Sequence, residues 1–212
     1  MKKWILIIVA FSSLTLHAQT NWVERARASW TAAEIEKANT AAQDASLTQQ
    51  EKDLVLLMNL SRLNGKKFWT GLAQPYLAST GEDNRFTRSM VTDLEKVANL
   101  TMLNTCAGLF QSARAHALDM GRTGEIGHDS TDGTPCFDRV RKYYNKSVAM
   151  AENCSYGYAD AMDILMQLLV DEGVPSLGHR KNILSPAYQL VGLSIQRHKT
   201  YQWNCVMDFA GG

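Results

Sequence analysis

The sequence predicts an α+β protein in which helices pack on a largely antiparallel sheet. Several segments carry apolar residues at helical spacing. Near the C-terminus, apolar and polar residues alternate in two adjacent stretches, which is typical of a hairpin of two strands. No regular strand–helix–strand order repeats along the chain, so a mixed arrangement of helices and hairpin strands is expected.

Residues 1–18 have the pattern of a secretory signal peptide. Lys2 and Lys3 precede an apolar stretch that is too short to cross a membrane, and the small residue Ala18 closes it. The sequence therefore predicts cleavage after Ala18. We expect a secreted or periplasmic protein that is not membrane-spanning.

Two capping boxes mark the first helices of the remaining chain. Thr31 and Glu34 have this spacing within residues 19–47, a polar, alanine-rich stretch with little apolar face, so we expect a peripheral helical segment there. Thr48 and Glu51 repeat the spacing and start a stronger helix. Its apolar residues must be covered by other parts of the protein: Leu54, Leu57, Met58 and Leu60.

The main domain is predicted to cover residues 48–212, with an insertion or lid at about 65–104. That stretch mixes aromatic, glycine and polar residues, and only residues 89–100 within it resemble a short helix. No low-complexity tract or repeat is present in it.

The next predicted helix covers residues 106–120, with Gly121 as its stop. His116 lies on the apolar stripe of this helix, which favours a hydrogen-bonded core histidine over a ligand. The C-terminal hairpin is predicted to have its strands at 191–195 and 201–209. Between these elements we predict a helix over 134–144, a strand over 147–155 and a helix over 159–170.

The charge of the chain argues against a nucleic-acid partner. There are 22 lysine and arginine residues and 21 aspartate and glutamate residues, for a formal net charge of +1. Nucleic acids and anionic membrane surfaces both favour clustered basic charge, which this sequence lacks.

All four cysteines lie in the second half of the chain. In an oxidising compartment disulfides are the default expectation, and we prefer the pairs Cys136 with Cys154 and Cys106 with Cys205. Free buried thiols are the alternative. A zinc site built from the cysteines is not supported, because no paired CxxC spacing is present.

Five polar residues are candidates for a site because local structure does not account for them: His128, Glu152, Asp171, Glu172 and His179. Two acids at a helix C-terminus face the negative end of its dipole and therefore favour a nearby cation or metal ion. Two imidazoles with one or two carboxylates form a ligand set that zinc accepts. The same groups could instead hydrogen-bond to each other around water.

Six motifs follow one another along the chain: AHALDM, GHDS, AEN, GHRKNIL, VGLSI and CVMDFAG. Together they resemble the motifs of the CAP superfamily, which includes cysteine-rich secretory proteins, antigen five and pathogenesis-related proteins. With the helix LLMNLSRLNG, the resemblance covers roughly residues 48–211, and it is nearest to the bacterial secreted branch with an SCP-like extracellular domain.

The resemblance implies a three-layer α-β-α sandwich with an open cleft lined by two histidines and two acids. Carried over to this chain, the divalent-cation ligands are His128, Glu152, His179 and Asp171, with Glu172 as the substitute for Asp171. We expect Gly178 to let the backbone turn sharply before His179.

Three functions are consistent with these residues. The first is a secreted protein whose cleft binds a divalent cation, zinc being the first choice, and a small hydrophobic or extended ligand such as a lipid, sterol, peptide or glycan fragment. The second is a metal-dependent hydrolase, a peptidase or esterase, with Glu152 as general base. The third is a structural or adhesive protein without a ligand, in which the polar groups only bind each other.

Overall fold

The computed structural model describes residues 21–212. The predicted signal peptide falls on residues outside this range. Among the described residues, no helix is both long enough and apolar enough to cross a membrane.

The described chain folds into ten α-helices, one π-helical turn at Trp69–Ala73 and four strands. The helices are α1 (Trp22–Ser29), α2 (Ala32–Ala38), α3 (Gln49–Leu63), α4 (Gly65–Phe68), α5 (Gln74–Thr80), α6 (Arg85–Leu94), α7 (Ala107–Thr123), α8 (Cys136–Tyr143), α9 (Ala161–Val170) and α10 (Gly178–Ile183). The strands are β1 (Asn104–Thr105), β2 (Met150–Tyr156), β3 (Leu190–His198) and β4 (Gln202–Ala210).

The four strands form one sheet in the order β1-β3-β4-β2. The pairs β3–β4 and β4–β2 are antiparallel, while the short β1 pairs with β3 in parallel. The α+β class is therefore confirmed, and the sheet is mixed rather than purely antiparallel. Because β2 is an edge strand, it can position side chains at the border of the sandwich.

Helices cover both faces of the sheet, which confirms the three-layer α-β-α arrangement. The odd-numbered residues Cys205, Met207 and Phe209 of β4 join the main apolar core with the leucines of α3 and α9. Val206 faces the other way and packs against Ala113 of α7. Successive side chains of β4 therefore alternate between the two faces of the sheet, as predicted.

The polar face of β4 is buried as well, which the alternation did not predict. Asn204 and Asp208 are fully buried. The amide of Asn204 donates to the carbonyl of Ala117 in α7. A long helix therefore lies across side chains that a simple amphipathic strand would leave in water.

The predicted end of α7 at Gly121 is wrong, because the helix continues to Thr123 and ends at Gly124 in the left-handed conformation (φ 85°). Gly121 is buried inside the helix, and a Cβ there would collide with the carbonyl oxygen of Arg197 in β3. Gly121 therefore permits close helix–strand packing, whereas Gly124 provides the turn.

Both capping boxes form as expected. The side chains of Thr31 and Thr48 accept hydrogen bonds from the backbone at Glu34 and Glu51, and both glutamates reach back. Residues 21–47 are also less peripheral than their polar composition predicts. Five buried residues from this segment belong to the main core: Ala26, Trp30, Ala38, Ala41 and Leu47.

The stretch 65–104 contains more helix than the sequence predicts. Residues 65–80 form a nearly continuous helical segment that includes the π-helical turn. The helix predicted at 89–100 instead covers Arg85–Leu94, because the side chain of Asn84 accepts hydrogen bonds from the amides of Phe86 and Thr87 and so caps it at an earlier position.

The two preferred disulfides do not form in the structure, where all four cysteines are free. Cys205 points into the main core, while Cys106 packs in a separate cluster with Leu109 and Val140 on the α7 side of the sheet. The sheet therefore separates this pair. Cys136 and Cys154 are both buried as free thiols, the alternative that the sequence left open.

Candidate functional site

The edge strand β2 places two neighbouring polar residues on its opposite faces. Glu152 is buried, and its partner across the strand pair is Asp208 of β4. Asn153 faces the other way, where its amide donates to the carbonyl of His179 (3.0 Å). Each of the two residues thus anchors one of the predicted histidines.

The first histidine, His128, is paired with Glu152. The Nδ1 atom of His128 lies 2.8 Å from Oε1 of Glu152, and its Nε2 atom forms no hydrogen bond with the described residues. The second carboxylate oxygen of Glu152 accepts a close hydrogen bond from the guanidinium of Arg139, in α8. The His128 side chain is 52% exposed, whereas Glu152 is buried, so the pair joins the interior to the surface.

The ionisation of this pair follows from its contacts. Burial alone would raise the pKa of Glu152, but the hydrogen bond with His128 and the charge of Arg139 outweigh it, so that the pKa is lowered. The hydrogen bond with Glu152 raises the pKa of His128. The carboxylate is therefore a stable anion that orients the imidazole.

A second imidazole, that of His116, reaches the same carboxylate from α7. His116 is fully buried and its Nε2 atom lies 3.0 Å from the carbonyl oxygen of Gly127, so the predicted hydrogen-bonded core histidine is present. Burial lowers the pKa of His116. His116, Glu152 and Cys154 each offer a ligand atom, all within 4.8 Å of one another, and this group could hold a metal ion.

The second predicted histidine, His179, is paired with Asp171. Its Nδ1 atom lies 2.7 Å from Oδ1 of Asp171, while the other oxygen, Oδ2, accepts from the backbone amide of His179 (3.0 Å). Asp171 is buried and follows the last residue of α9 in the left-handed conformation (φ 57°). This backbone conformation turns the carboxylate back toward the start of α10.

The expectation that Gly178 makes the sharp turn is wrong. Leu177 adopts the left-handed conformation (φ 52°), and Gly178 is the first residue of α10 without a positive φ. A bulky residue with positive φ is uncommon and is held there by its surroundings. One such contact is the hydrogen bond from the Leu177 amide to the carbonyl of Val174.

Arg180 and Asn182 secure the turn that carries His179. Arg180 is almost completely buried and donates to the last carbonyls of α9, those of Leu169 and Val170. The amide of Asn182 donates to the side-chain oxygen of Asn153 on β2 (2.8 Å). The cation that the acidic helix end required is therefore Arg180, bound to the carbonyls rather than to the Asp171 carboxylate.

A cavity of about 400 Å³ lies next to His179. Asp171 and Glu172 line it, together with Cys154 of β2 and with Tyr76 from the stretch 65–104. His128 and Glu152 are not among the lining residues, but Cys154 Sγ lies 3.8 Å from Nδ1 of His128. Cys154 is therefore the contact between the cavity and the first histidine.

The predicted site residues thus form two histidine–carboxylate pairs, one on each side of β2. The structure joins His128 to Glu152 and His179 to Asp171. Glu172 is exposed at the cavity and makes no hydrogen bond or ion pair within residues 21–212.

Sequence reasoning missed two ionisable groups beneath Glu152, those of Arg139 and Asp208. Arg139 sits in an ordinary amphipathic helix, and no local signal identifies it. Asp208 is fully buried, and neither of its carboxyl oxygens has a hydrogen-bond partner among the described residues. Burial and then the charge of Glu152 raise the pKa of Asp208 well above its usual range, which favours the neutral form of this carboxyl.

A three-layer α-β-α sandwich with two histidine–carboxylate pairs at one sheet edge defines a class of protein rather than a single activity. The sequence model of the family described as CAP, the cysteine-rich secretory protein family, matches residues 96–209. The match covers more than half of the 212 residues, and the chain belongs to this family. No curated protein sequence matches the chain.

Three solved structures are similar to this chain at low sequence identity. An outer surface protein from Borrelia burgdorferi is 21% identical, with a TM-score of 0.45 over 53% of this chain and 80% of that one. An extracellular protein containing an SCP domain from Bacillus anthracis is 22% identical, with a TM-score of 0.45 over 60% and 39%. A cysteine-rich secretory protein from Staphylococcus aureus is 16% identical, with a TM-score of 0.41 over 60% and 37%. The chain thus covers well under half of the last two proteins.

Proposed function

We propose that this chain is an exported CAP-domain protein whose cleft binds a divalent cation, zinc in the first instance, together with an extended ligand. The observation that carries the proposal is the pair of histidine–carboxylate contacts flanking β2. In each, the carboxylate faces Nδ1 and Nε2 forms no hydrogen bond with the described residues. This is how proteins orient an imidazole for a metal ion.

The chemistry of the two imidazoles supports zinc as the ion. Neutral imidazole nitrogens are preferred zinc ligands, and a carboxylate on the opposite ring nitrogen fixes the tautomer and raises the basicity of the ligand. The Nε2 atoms of His128 and His179 would hold the ion, with Glu152 and Asp171 orienting the two rings. Bound zinc would supply a Lewis acid or an anchoring charge for the ligand.

The proposed domain organisation places the binding function in residues 48–212. Residues 1–18 are the export signal, and residues 19–47 support the main domain. The stretch 65–104 acts as an inserted wall, because Tyr76 and Glu82 from it line the same cavity as His179.

Glu152 is poorly placed to act as the general base of a hydrolase. Both carboxylate oxygens are already engaged, one by His128 and the other by Arg139, and the residue is buried. Its lowered pKa also makes it a weak base. These contacts support binding over hydrolysis as the function of the cleft.

The proposal is tested by calorimetric titration of metal-stripped protein with zinc. We expect His128→Gln and His179→Gln each to weaken zinc binding by at least about tenfold, and Asp171→Asn to weaken it by roughly tenfold through loss of ring orientation. Cys154→Ser is the matched comparison and should leave the affinity unchanged.

The alternative metal group gives the opposite pattern. If Cys154→Ser and His116→Gln abolish zinc binding while His179→Gln does not, the ion is held by the His116, Glu152 and Cys154 group. Absence of zinc binding by the unsubstituted protein would also refute the proposal.

A further inference from the structure

We propose that the cleft selects an organic cation, an extended ligand that carries alkylammonium groups. This inference rests on the proposed function, because it assigns a ligand class to the same cavity. Three features carry it: the charge of the cavity wall, the lack of partners for its carboxylates, and the tyrosines beside them.

The wall of the cavity is acidic. Four carboxylates line it, those of Glu82, Asp163, Asp171 and Glu172. No lysine or arginine is among the described lining residues, and His179 is the sole imidazole. Low-dielectric walls focus the field of such charges, so the cavity attracts cations and repels anions.

Three of these carboxylates have no counter-ion within residues 21–212. Asp171 is paired with His179, but Glu82, Asp163 and Glu172 form no ion pair in the described part of the chain. The carboxylate of Asp163 accepts one hydrogen bond, from the hydroxyl of Tyr76 (2.9 Å). Its negative charge is thus only partly compensated.

Asp163 shows most clearly how partial burial without a counter-ion destabilises a charged carboxylate. Its partial burial raises the pKa of the carboxyl group, the hydrogen bond from Tyr76 opposes this shift, and the nearby Asp160 adds to it. A carboxylate that has lost water without gaining a cation is destabilised in its charged form. An ammonium group bound beside it would restore the lost stabilisation.

Tyrosines complete a wall suited to an alkylammonium ligand. Tyr76, Tyr156 and Tyr158 line the cavity together with the carboxylates. An aromatic face attracts an ammonium group and also packs against the methylene groups between successive charges. A purely apolar ligand would instead cover the unpaired carboxylates without compensating them.

The tyrosine from the stretch 65–104 is fixed before a ligand binds. The ring of Tyr76 packs edge-on against Trp22 of α1, with ring centroids 5.5 Å apart, and its hydroxyl is held by Asp163. A wall held in place from both ends loses little conformational entropy on binding.

The test is calorimetric titration of the metal-stripped protein with spermidine, tetralysine, tetraglycine and tetraglutamate. We expect the two cations to bind, with an affinity that falls as ionic strength rises, and the neutral and anionic probes not to bind. Binding of both spermidine and tetralysine identifies the ammonium group as the recognised chemistry, and binding of tetralysine alone shows that a peptide backbone is also required.

Matched charge-neutralising variants locate the binding. Asp163→Asn and Glu172→Gln should each weaken tetralysine binding by about three- to tenfold, the range expected for one partly exposed ion pair or cation–π contact. Glu95→Gln, an exposed acid at the end of α6 that does not line the cavity, should leave it unchanged. Because Glu172 is exposed, its variant should fold even if Asp163→Asn does not.

Equal affinity for tetralysine and tetraglutamate, no binding of either cation, or an unchanged affinity in Glu172→Gln would each overturn the inference. A zinc titration of the same samples separates it from the proposed function. Zinc binding that depends on His179 without tetralysine binding refutes the cationic ligand alone, whereas tetralysine binding without zinc binding refutes the metal site alone.

Discussion

Asp208 shows how the environment of a single residue sets its charge. Its partner on the neighbouring strand is Glu152, and both side chains are buried. Arg139 forms its ion pair with Glu152, which therefore keeps the negative charge. Because a buried carboxylate disfavours a second negative charge beside it, the protonated form of Asp208 is favoured.

Replacing this neutral acid with its amide should stabilise the protein at neutral pH. Below the ordinary pKa of 3.8, Asp208 is protonated in both the folded and unfolded states. As pH rises above that value, the unfolded chain loses the proton while the folded chain keeps it, so the wild-type protein loses stability until the pH exceeds the raised folded pKa. The Asp208→Asn variant lacks this proton linkage.

We therefore expect Asp208→Asn to be more stable than wild type at pH 7 by at least about 1 kcal/mol, because a tenfold change in proton affinity corresponds to about 1.4 kcal/mol. Urea unfolding of both proteins between pH 3.5 and pH 7 measures the difference, which should shrink toward zero at the acidic end. A variant that is equally stable or less stable at pH 7 would show that Asp208 is ionised in the folded protein.

Local signals at single residues allowed part of the site to be predicted. The motifs identified His128, Glu152, Asp171 and His179 as candidates, and the structure places them in two histidine–carboxylate pairs. Their role as metal ligands stays a prediction. Arg139 could not be predicted, because its role depends on where α8 lies relative to β2. No local sequence pattern indicates how α8 packs relative to β2.

At the scale of elements, Gly192 and Gly178 have opposite roles in packing. A Cβ on Gly192 of β3 would collide with the backbone of Leu109 and Phe110 in α7, whereas a Cβ on Gly178 would meet only Ser176 Oγ at 3.5 Å. Gly192 allows α7 to pack closely on the sheet, whereas Gly178 has a backbone conformation that alanine can also adopt.

Gly192→Ala should therefore lower the free energy of unfolding by about 3 kcal/mol or more, since backbone atoms cannot move aside as a flexible side chain can. Gly178→Ala should leave stability unchanged or raise it by up to about 1 kcal/mol, because alanine restricts the unfolded chain without strain in the folded one. Urea unfolding of the two variants provides the measurement. Similar losses in both would mean that Gly178 has a special backbone role after all.

The elements that were predicted well are those specified by neighbouring residues. The boxes at Thr31 and Thr48 and the C-terminal hairpin depend on contacts a few residues apart, and all of them form. Gly121 was wrongly predicted to end its helix, because its role depends on Arg197, which approaches it from the sheet. In a helical sequence pattern, an exposed glycine can mark the end of the helix, whereas a buried glycine can permit a close packing contact.

At the scale of the whole molecule, the stretch 65–104 is joined to the site through Arg180. The guanidinium of Arg180 donates to Ser89 Oγ, to the carboxylate of Asp93 and to the carbonyl of Phe86, all in α6. The same group binds the last carbonyls of α9, and the residue just before Arg180 in the chain is a site residue, His179. The inserted stretch, the buried helix and the second histidine therefore depend on one buried side chain.

Arg180→Met should lower the free energy of unfolding by about 3 kcal/mol or more, because it leaves several buried carbonyls without a donor. Hydrogen exchange should become faster in both α6 and α10, since the two elements lose their shared partner. Asp93→Asn removes the partly exposed ion pairs that Asp93 forms with Arg180 and Lys96, and it should cost about 1 kcal/mol or less. If exchange in α10 stays slow in Arg180→Met while α6 opens, the inserted stretch is anchored separately from His179, and changes in it should not alter binding at the cleft.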